Sequence, residues 1–194
     1  MEVSGFLLLT GLGLAVAAGL NAYIPLLIAG FLAHFDVIHL ASPYDLLASW
    51  PALIILIALL AVEIVADKVP AVDSFNDVVQ TLVRPASGAV LFAGAIAPNS
   101  DWSQALGLIA GLVTAGSVHA VKSSVRPVAN VSTGGIAAPV LSTVEDVFSV
   151  VMSFVAILFP LLVIVMLVVM AWLAWKALQR IRRATSSSAD TSGK

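Results

Sequence analysis

VFSVVMSFVAILFPLLVIVMLVVMAWLAW, residues 147–175, contains no acidic or basic side chain and runs directly into KALQRIRR, residues 176–183. A helix needs roughly 20 apolar residues to cross the ~30 Å hydrocarbon core of a bilayer. This run exceeds that length, and so does the stretch 3–35, which also lacks Asp, Glu, Lys and Arg. Two such stretches in one chain predict an all-α, polytopic transmembrane bundle. Lys176, Arg180, Arg182 and Arg183, directly after a span, place that end in the cytoplasm by the positive-inside rule. Ala184 to Lys194 reads as a disordered cytoplasmic tail, which leaves residues 1–183 as a single transmembrane domain.

The chain has 194 residues, 60% hydrophobic and 10% charged, with a mean hydropathy of +1.07. One bundle fits that length, with no room for a separate soluble domain of ordinary size. The net charge of −2 comes with no basic patch on a soluble fold, so no nucleic-acid partner is expected. The absence of cysteine removes disulfides, thiolate metal sites and cysteine nucleophiles. Ala15-Val16-Ala17 resembles a signal-peptide cleavage site, but Met1 to Gly5 carries Glu2 and no Lys or Arg. The first run is therefore expected to remain as a span.

Proline and turn residues divide the chain into four to six membrane segments with broken or re-entrant helices. Gly19-Leu20-Asn21 and Pro25 interrupt the first run, and Pro25 would free the carbonyl of Asn21 at mid-membrane depth. Ser42-Pro43-Tyr44-Asp45 reads as the start of a second helix, which Pro70 ends. His34, Asp36, His39 and Asp45 read as a polar loop rather than a metal site. Asp73 and Asp77 begin a third helix. Arg84-Pro85 and Arg126-Pro127 are expected to end helices, because the residue before proline is pushed out of the α region. Val128 to Leu141 suits a re-entrant, irregular stretch. Ser142-x-x-Glu145 reads as a capping box opening a last helix, kinked at Pro160. Val83-Arg84-Pro85 recurs as Val125-Arg126-Pro127, and the same offset takes Asp77 to His119. This suggests an internal repeat of the kind transporters use.

The few charges cluster inside or beside the apolar runs. An ionised group at the bilayer centre costs at least ~2.5–3.5 kcal/mol, so such groups pair with one another or line a pathway. Glu63 and Asp67 stand at i, i+4 on one helix face, and Asp73 and Asp77 repeat the spacing. Paired carboxylates can share a proton, hold a hard cation or oppose an arginine. His119, Lys122 and Arg126 stand at i, i+3, i+7, and Asn130 would extend the line. Arginine binds phosphate or carboxylate bidentately, lysine adds a point charge, and histidine exchanges a proton near neutral pH. One network joining the acidic and basic groups is expected.

Several of these motifs together resemble a known family. They are Asn21-Ala22-Tyr23, Glu63-x3-Asp67-Lys68-x-Pro70-x2-Asp73-x3-Asp77-x6-Arg84-Pro85, His119-x2-Lys122-x3-Arg126-x3-Asn130-x-Ser132 and Ser142-x2-Glu145-Asp146. The chain is similar over nearly all of residues 10–150 to a small bacterial integral-membrane family catalogued only as a domain of unknown function. It departs after Asn130, where Ser132-Thr133-Gly134-Gly135 replaces a Ser-Pro-Glu-Pro-like loop, so any acid of that loop is missing. The resemblance implies a multi-pass protein of the bacterial inner membrane and brings no established activity.

The residues themselves lead to a small transporter or flippase for an anionic substrate, a phosphate-bearing solute or lipid carrier. Arg84, His119, Lys122 and Arg126 would engage the anionic group, with Asn21 and Asn130 adding polar contacts. Glu63, Asp67, Asp73, Asp77, Glu145 and Asp146 would carry protons or a coupling cation. One alternative is a cation or divalent-metal transporter in which those acids bind the ion. Two others are an intramembrane lipid-modifying enzyme and a structural membrane subunit. The enzyme has against it the lack of a recognisable nucleophile or metal motif. No cofactor is expected. The bilayer and an anionic small molecule or lipid headgroup are the expected partners, and self-association is left open.

Overall fold

The computed structural model describes residues 5–67, 70–96, 101–134 and 137–191. Among them the chain is helical and contains no strand. Seven α-helices follow one another: α1 (Gly5–Leu20), α2 (Tyr23–His34), α3 (Trp50–Ala66), α4 (Pro70–Ile96), α5 (Asp101–Thr133), α6 (Ala137–Leu158) and α7 (Pro160–Thr191). A short 3-10 helix, Tyr44–Ala48, lies between α2 and α3. Among the described residues three helical segments are, by length and composition, long and apolar enough to cross a membrane: Val78–Ile96, Ser103–Pro127 and Ala138–Leu158. Shorter apolar helices accompany them at Gly5–Leu20, Tyr23–His34, Trp50–Ala66 and Pro160–Trp172. The all-helical bundle expected from the apolar runs is the fold observed.

α1 is the central helix, packed against α4, α5, α6 and α7. Its sequence explains why: Gly11, Gly13 and Leu14 to Gly19 are all buried, and their small side chains let neighbouring backbones approach closely. α4 and α5 pack antiparallel along most of their length, with Gly88 facing Gly111 and Ala115, and Gly107 facing Ala93 and Ile96. A β-carbon added at Gly111 would collide with the Gly88 carbonyl. Gly111→Val is therefore expected to push α4 and α5 apart and cost about 1–3 kcal/mol by overpacking. Thermal unfolding in detergent checks this, and an unchanged midpoint would mean that the helices do not meet there.

Several expected boundaries are corrected. Pro85 and Pro127 lie inside continuous helices rather than at breaks. A proline in a helix interior costs about 3 kcal/mol, but opening a helix in apolar surroundings would leave several amide groups unsatisfied at several kcal/mol each. Keeping the helix is the smaller cost. Serines within a turn also bond to helix carbonyls, Ser87 Oγ to Val83 at 2.8 Å and Ser124 Oγ to Ala120 at 2.7 Å. The stretch expected to be irregular at 128–141 is mostly helix. α5 continues to Thr133 and stops at Gly134, whose φ of 62° is the left-handed conformation common after a helix C-terminus.

α6 begins at Ala137, so Ser142 is a buried residue of its interior and not a cap. α6 and α7 are separate helices, with Phe159 non-helical between them and Pro160 opening α7. Pro43 precedes the 3-10 turn, and α3 starts later, with the Ser49 hydroxyl accepting from the Ala52 amide and Pro51 in the first turn. Pro70 is the first residue of α4, where its missing N–H has no intrahelical role. α7 is helical to Thr191, past the point at residue 184 where composition suggested the tail begins.

Candidate functional site: a buried ionic layer

The first helical run does break at Asn21. Asn21 Oδ1 accepts from the amides of both Tyr23 and Ile24 at 3.0 Å, the work of an N-cap for α2. Pro25 is the fourth residue after that cap, so it supplies no N–H to the Asn21 carbonyl, as the sequence leads one to expect. The chain turns back at this elbow: Gly13 and Ala17 of α1 lie beside Ala156 and Ser149 of α6, and Ile24, Leu27 and Ile28 of α2 line a groove with Val147 to Phe154 of the same helix stretch. The elbow, the C-terminal end of α3 and the Arg84, His119 and Glu145 turns of α4, α5 and α6 share one level. α1 closes at this level, at Leu20, while α4 and α5 continue past it.

Two linked ionic clusters fill the level. In the first, Arg84 Nη2 donates to Glu63 Oε1 at 2.9 Å, with the arginine 0% and the glutamate 2% exposed. Arg84 Nη1 lies 3.3 Å from His119 Nδ1, and His119 Nε2 lies 3.2 Å from Thr81 Oγ1. A guanidinium only donates, so Nδ1 accepts and Nε2 carries the ring hydrogen. In the second cluster, Arg126 Nη2 and Lys122 Nζ reach the same oxygen, Glu145 Oε2, at 2.6 and 2.8 Å. Arg126 also lies 3.6 Å from Asp67 Oδ2. Asp67 follows Glu63 by one helical turn and so joins the two clusters.

Polar groups complete the layer. Asn76 Nδ2 donates to Asp67 Oδ1 at 2.8 Å, Asn21 Nδ2 to Asp146 Oδ1 at 2.9 Å, and Lys122 Nζ to the Leu20 carbonyl at 2.8 Å. Asn21, Arg84, His119, Lys122 and Arg126 are thus brought together with Glu63, Asp67, Glu145 and Asp146. The side chains of Asp73, Asp77 and Asn130, also expected at the site, lie outside the described residues. Among the described residues no three His, Asp or Glu side chains are placed to hold a metal ion. His34 faces the other way, with Nδ1 2.7 Å from the Ala48 carbonyl and its ring edge-on to Trp50.

Sequence reasoning missed Asn76 and Gln80, both on α4. Gln80 is 1% exposed, and Asn76, Gln80 and Arg84 recur every fourth residue, a polar stripe on one helix face that spacing alone could have marked. Asn21→Ala would remove both the cap of α2 and the partner of Asp146, for an expected loss of about 1–2 kcal/mol. Asn21→Asp should keep the cap but set a second carboxylate against Asp146. If thermal unfolding ranks the alanine variant equal to wild type, the elbow does not depend on this cap.

The ionic layer is flanked by two apolar grooves on either side of α6. One, of about 550 Å3, lies between α5, α6 and α7 and has Lys122, Arg126 and Glu145 on its floor. The other, of about 540 Å3, lies between α2, α3 and α6 and reaches Asp146. Neighbouring acids of one helix therefore face different grooves. No curated protein and no solved structure matches the chain. The sequence profile described as Domain of unknown function (DUF4126) matches residues 8–180, a span that contains every residue of the ionic layer, and the chain belongs to that family.

Proposed function

We propose that this protein moves an anionic, phosphate-bearing substrate across the membrane, and that Lys122 and Arg126 bind the anionic group. The observation that carries the reading is the convergence of both cations on one oxygen of Glu145 at the floor of a groove. A carboxylate that occupies two cations holds the place a phosphate oxygen would take, and arginine and lysine are the usual partners of phosphate. Substrate and Glu145 then exchange on the same pair of cations. The basic end of α7 fits a cytoplasmic C-terminus.

Charge balance favours coupling to protons. Among the described side chains the layer holds four carboxylates, Glu63, Asp67, Glu145 and Asp146, against three fixed cations, Arg84, Lys122 and Arg126. An arriving anion adds negative charge to a site already one short of neutral, and a proton taken up by a carboxylate offsets it. Glu63 is the best placed, since its Oε2 is buried without a hydrogen-bond partner among the described residues and would accept the proton without breaking the bond that Arg84 donates to Oε1. Transport in proteoliposomes should therefore rise as pH falls. Glu63→Gln, which keeps the shape and the hydrogen bond but cannot titrate, should flatten that slope. A pH profile unchanged in the glutamine variant would remove Glu63 from coupling.

A further inference from the structure

Resting on that reading, we infer that the substrate is a lipid phosphate that docks sideways from the bilayer, its chain in the groove between α5, α6 and α7 and its phosphate on Lys122 and Arg126. Three observations meet here. Apart from Ser117 the walls are apolar, built from Val118, Val121 and Val125 of α5, Leu141 of α6, and Leu167 and Met170 of α7. They offer a hydrated solute little, whereas an alkyl chain gains ~25 cal/mol for each Å2 of apolar surface it buries. A volume of about 550 Å3 lies within the range of roughly 300–1,000 Å3 that small-molecule sites occupy.

The floor complements an anionic head. Two cations and one carboxylate line it, and the carboxylate is the most accessible of the three: Glu145 is 16% exposed at its side chain against 3% for Lys122 and 2% for Arg126. Lys122 places two of its three ammonium hydrogens, on Leu20 and Glu145, and so has a third to offer a ligand. A phosphate that displaces Glu145 takes over cations already gathered at one point.

The depth is that of a headgroup. α7 folds back along α6, since Val163 and Ala156 both flank Gly13 while Met170 and Ala171 share the groove with Leu141 and Glu145. Immediately beyond Ala171 come Trp172, with Lys176 Nζ 4.4 Å from its ring centre, and the exposed Trp175. Tryptophan beside lysine marks the membrane–water interface. From Ala171 to Lys176 is about 7.5 Å along the helix at 1.5 Å per residue. A lipid phosphate at interface level would therefore descend only about that far to reach the floor.

The experiment uses the full chain in phosphatidylcholine nanodiscs and measures displacement of a fluorescent phosphatidic acid. Dodecyl phosphate should displace it, while inorganic phosphate and glycerol phosphate at 100-fold higher concentration should not. Ala171→Trp, or Val121→Trp on the facing wall, fills the groove without touching the cations and should weaken dodecyl phosphate at least tenfold, provided the variant unfolds at the wild-type temperature. Lys122→Gln should weaken dodecyl phosphate but not an uncharged dodecyl glycoside. Equal displacement by glycerol phosphate and dodecyl phosphate, with both tryptophan variants unaffected, would overturn the lipid inference and leave anion transport standing. If neither the lipid nor the soluble phosphate binds, both readings fall together.

Discussion

Arg84→Ala should be the most damaging single change in the protein, lowering stability by about 3–5 kcal/mol, the usual cost of stripping one partner from a buried ion pair. The arginine is fully buried, and Glu63 has no other ion pair among the described residues. Without Arg84, Glu63 would keep two buried oxygens and no donor among the described residues, and His119 Nδ1 would lose the guanidinium that donates to it. The double variant Arg84→Met with Glu63→Met should recover most of the loss, because replacing a buried pair by apolar groups of similar volume is often neutral. Thermal and denaturant unfolding in detergent measure both. A single variant as stable as wild type would mean that the pair does not hold α3 against α4.

Arg126→Ala should separate function from folding. Its removal leaves Glu145 bonded to Lys122, and Asp67 bonded to Asn76, so neither acid is stranded and the stability cost should stay near 1–3 kcal/mol, that of a charged hydrogen bond. Transport of a phosphate-bearing substrate in proteoliposomes should fall by at least tenfold, because one of the two cations that would receive it is gone. Arg126→Lys should recover part of the loss, since it restores the charge but not the planar fork. Retained anion transport in Arg126→Ala would shift the assignment to a cation carried by the acids.

Much of this was legible in the sequence, for an identifiable reason. Long uncharged runs have few alternatives to membrane helices, and a charge stranded in such a run must find an opposite charge. Glu63, Arg84, Lys122, Arg126 and Glu145 are thus assigned to one network by the sequence alone. The helix boundaries were not legible at the prolines. The rule that a residue before proline leaves the α region is a local one, and at Arg84 and Arg126 it is overridden by the cost of exposing amides in an apolar bundle. Ser142 shows the same limit: its spacing to Glu145 fits a capping box, yet α6 begins five residues earlier. The reversal at Asn21 was not legible either, because a polar residue within an apolar run marks a break without showing that the chain turns back on itself there.

The elbow at Asn21 has an electrical consequence. Aligned peptide dipoles leave about half a negative charge at a helix C-terminus and half a positive charge at an N-terminus. α1 ends at Leu20, whose carbonyl accepts from Lys122, and α2 begins beside Asn21, which holds Asp146. Each half-charge therefore meets a side chain of opposite sign, and one interrupted helix supplies two electrodes that an unbroken one would have cancelled internally. A ligand that draws Lys122 away uncovers the end of α1. Binding at the groove and the angle between α1 and α2 are then two readings of a single electrostatic balance.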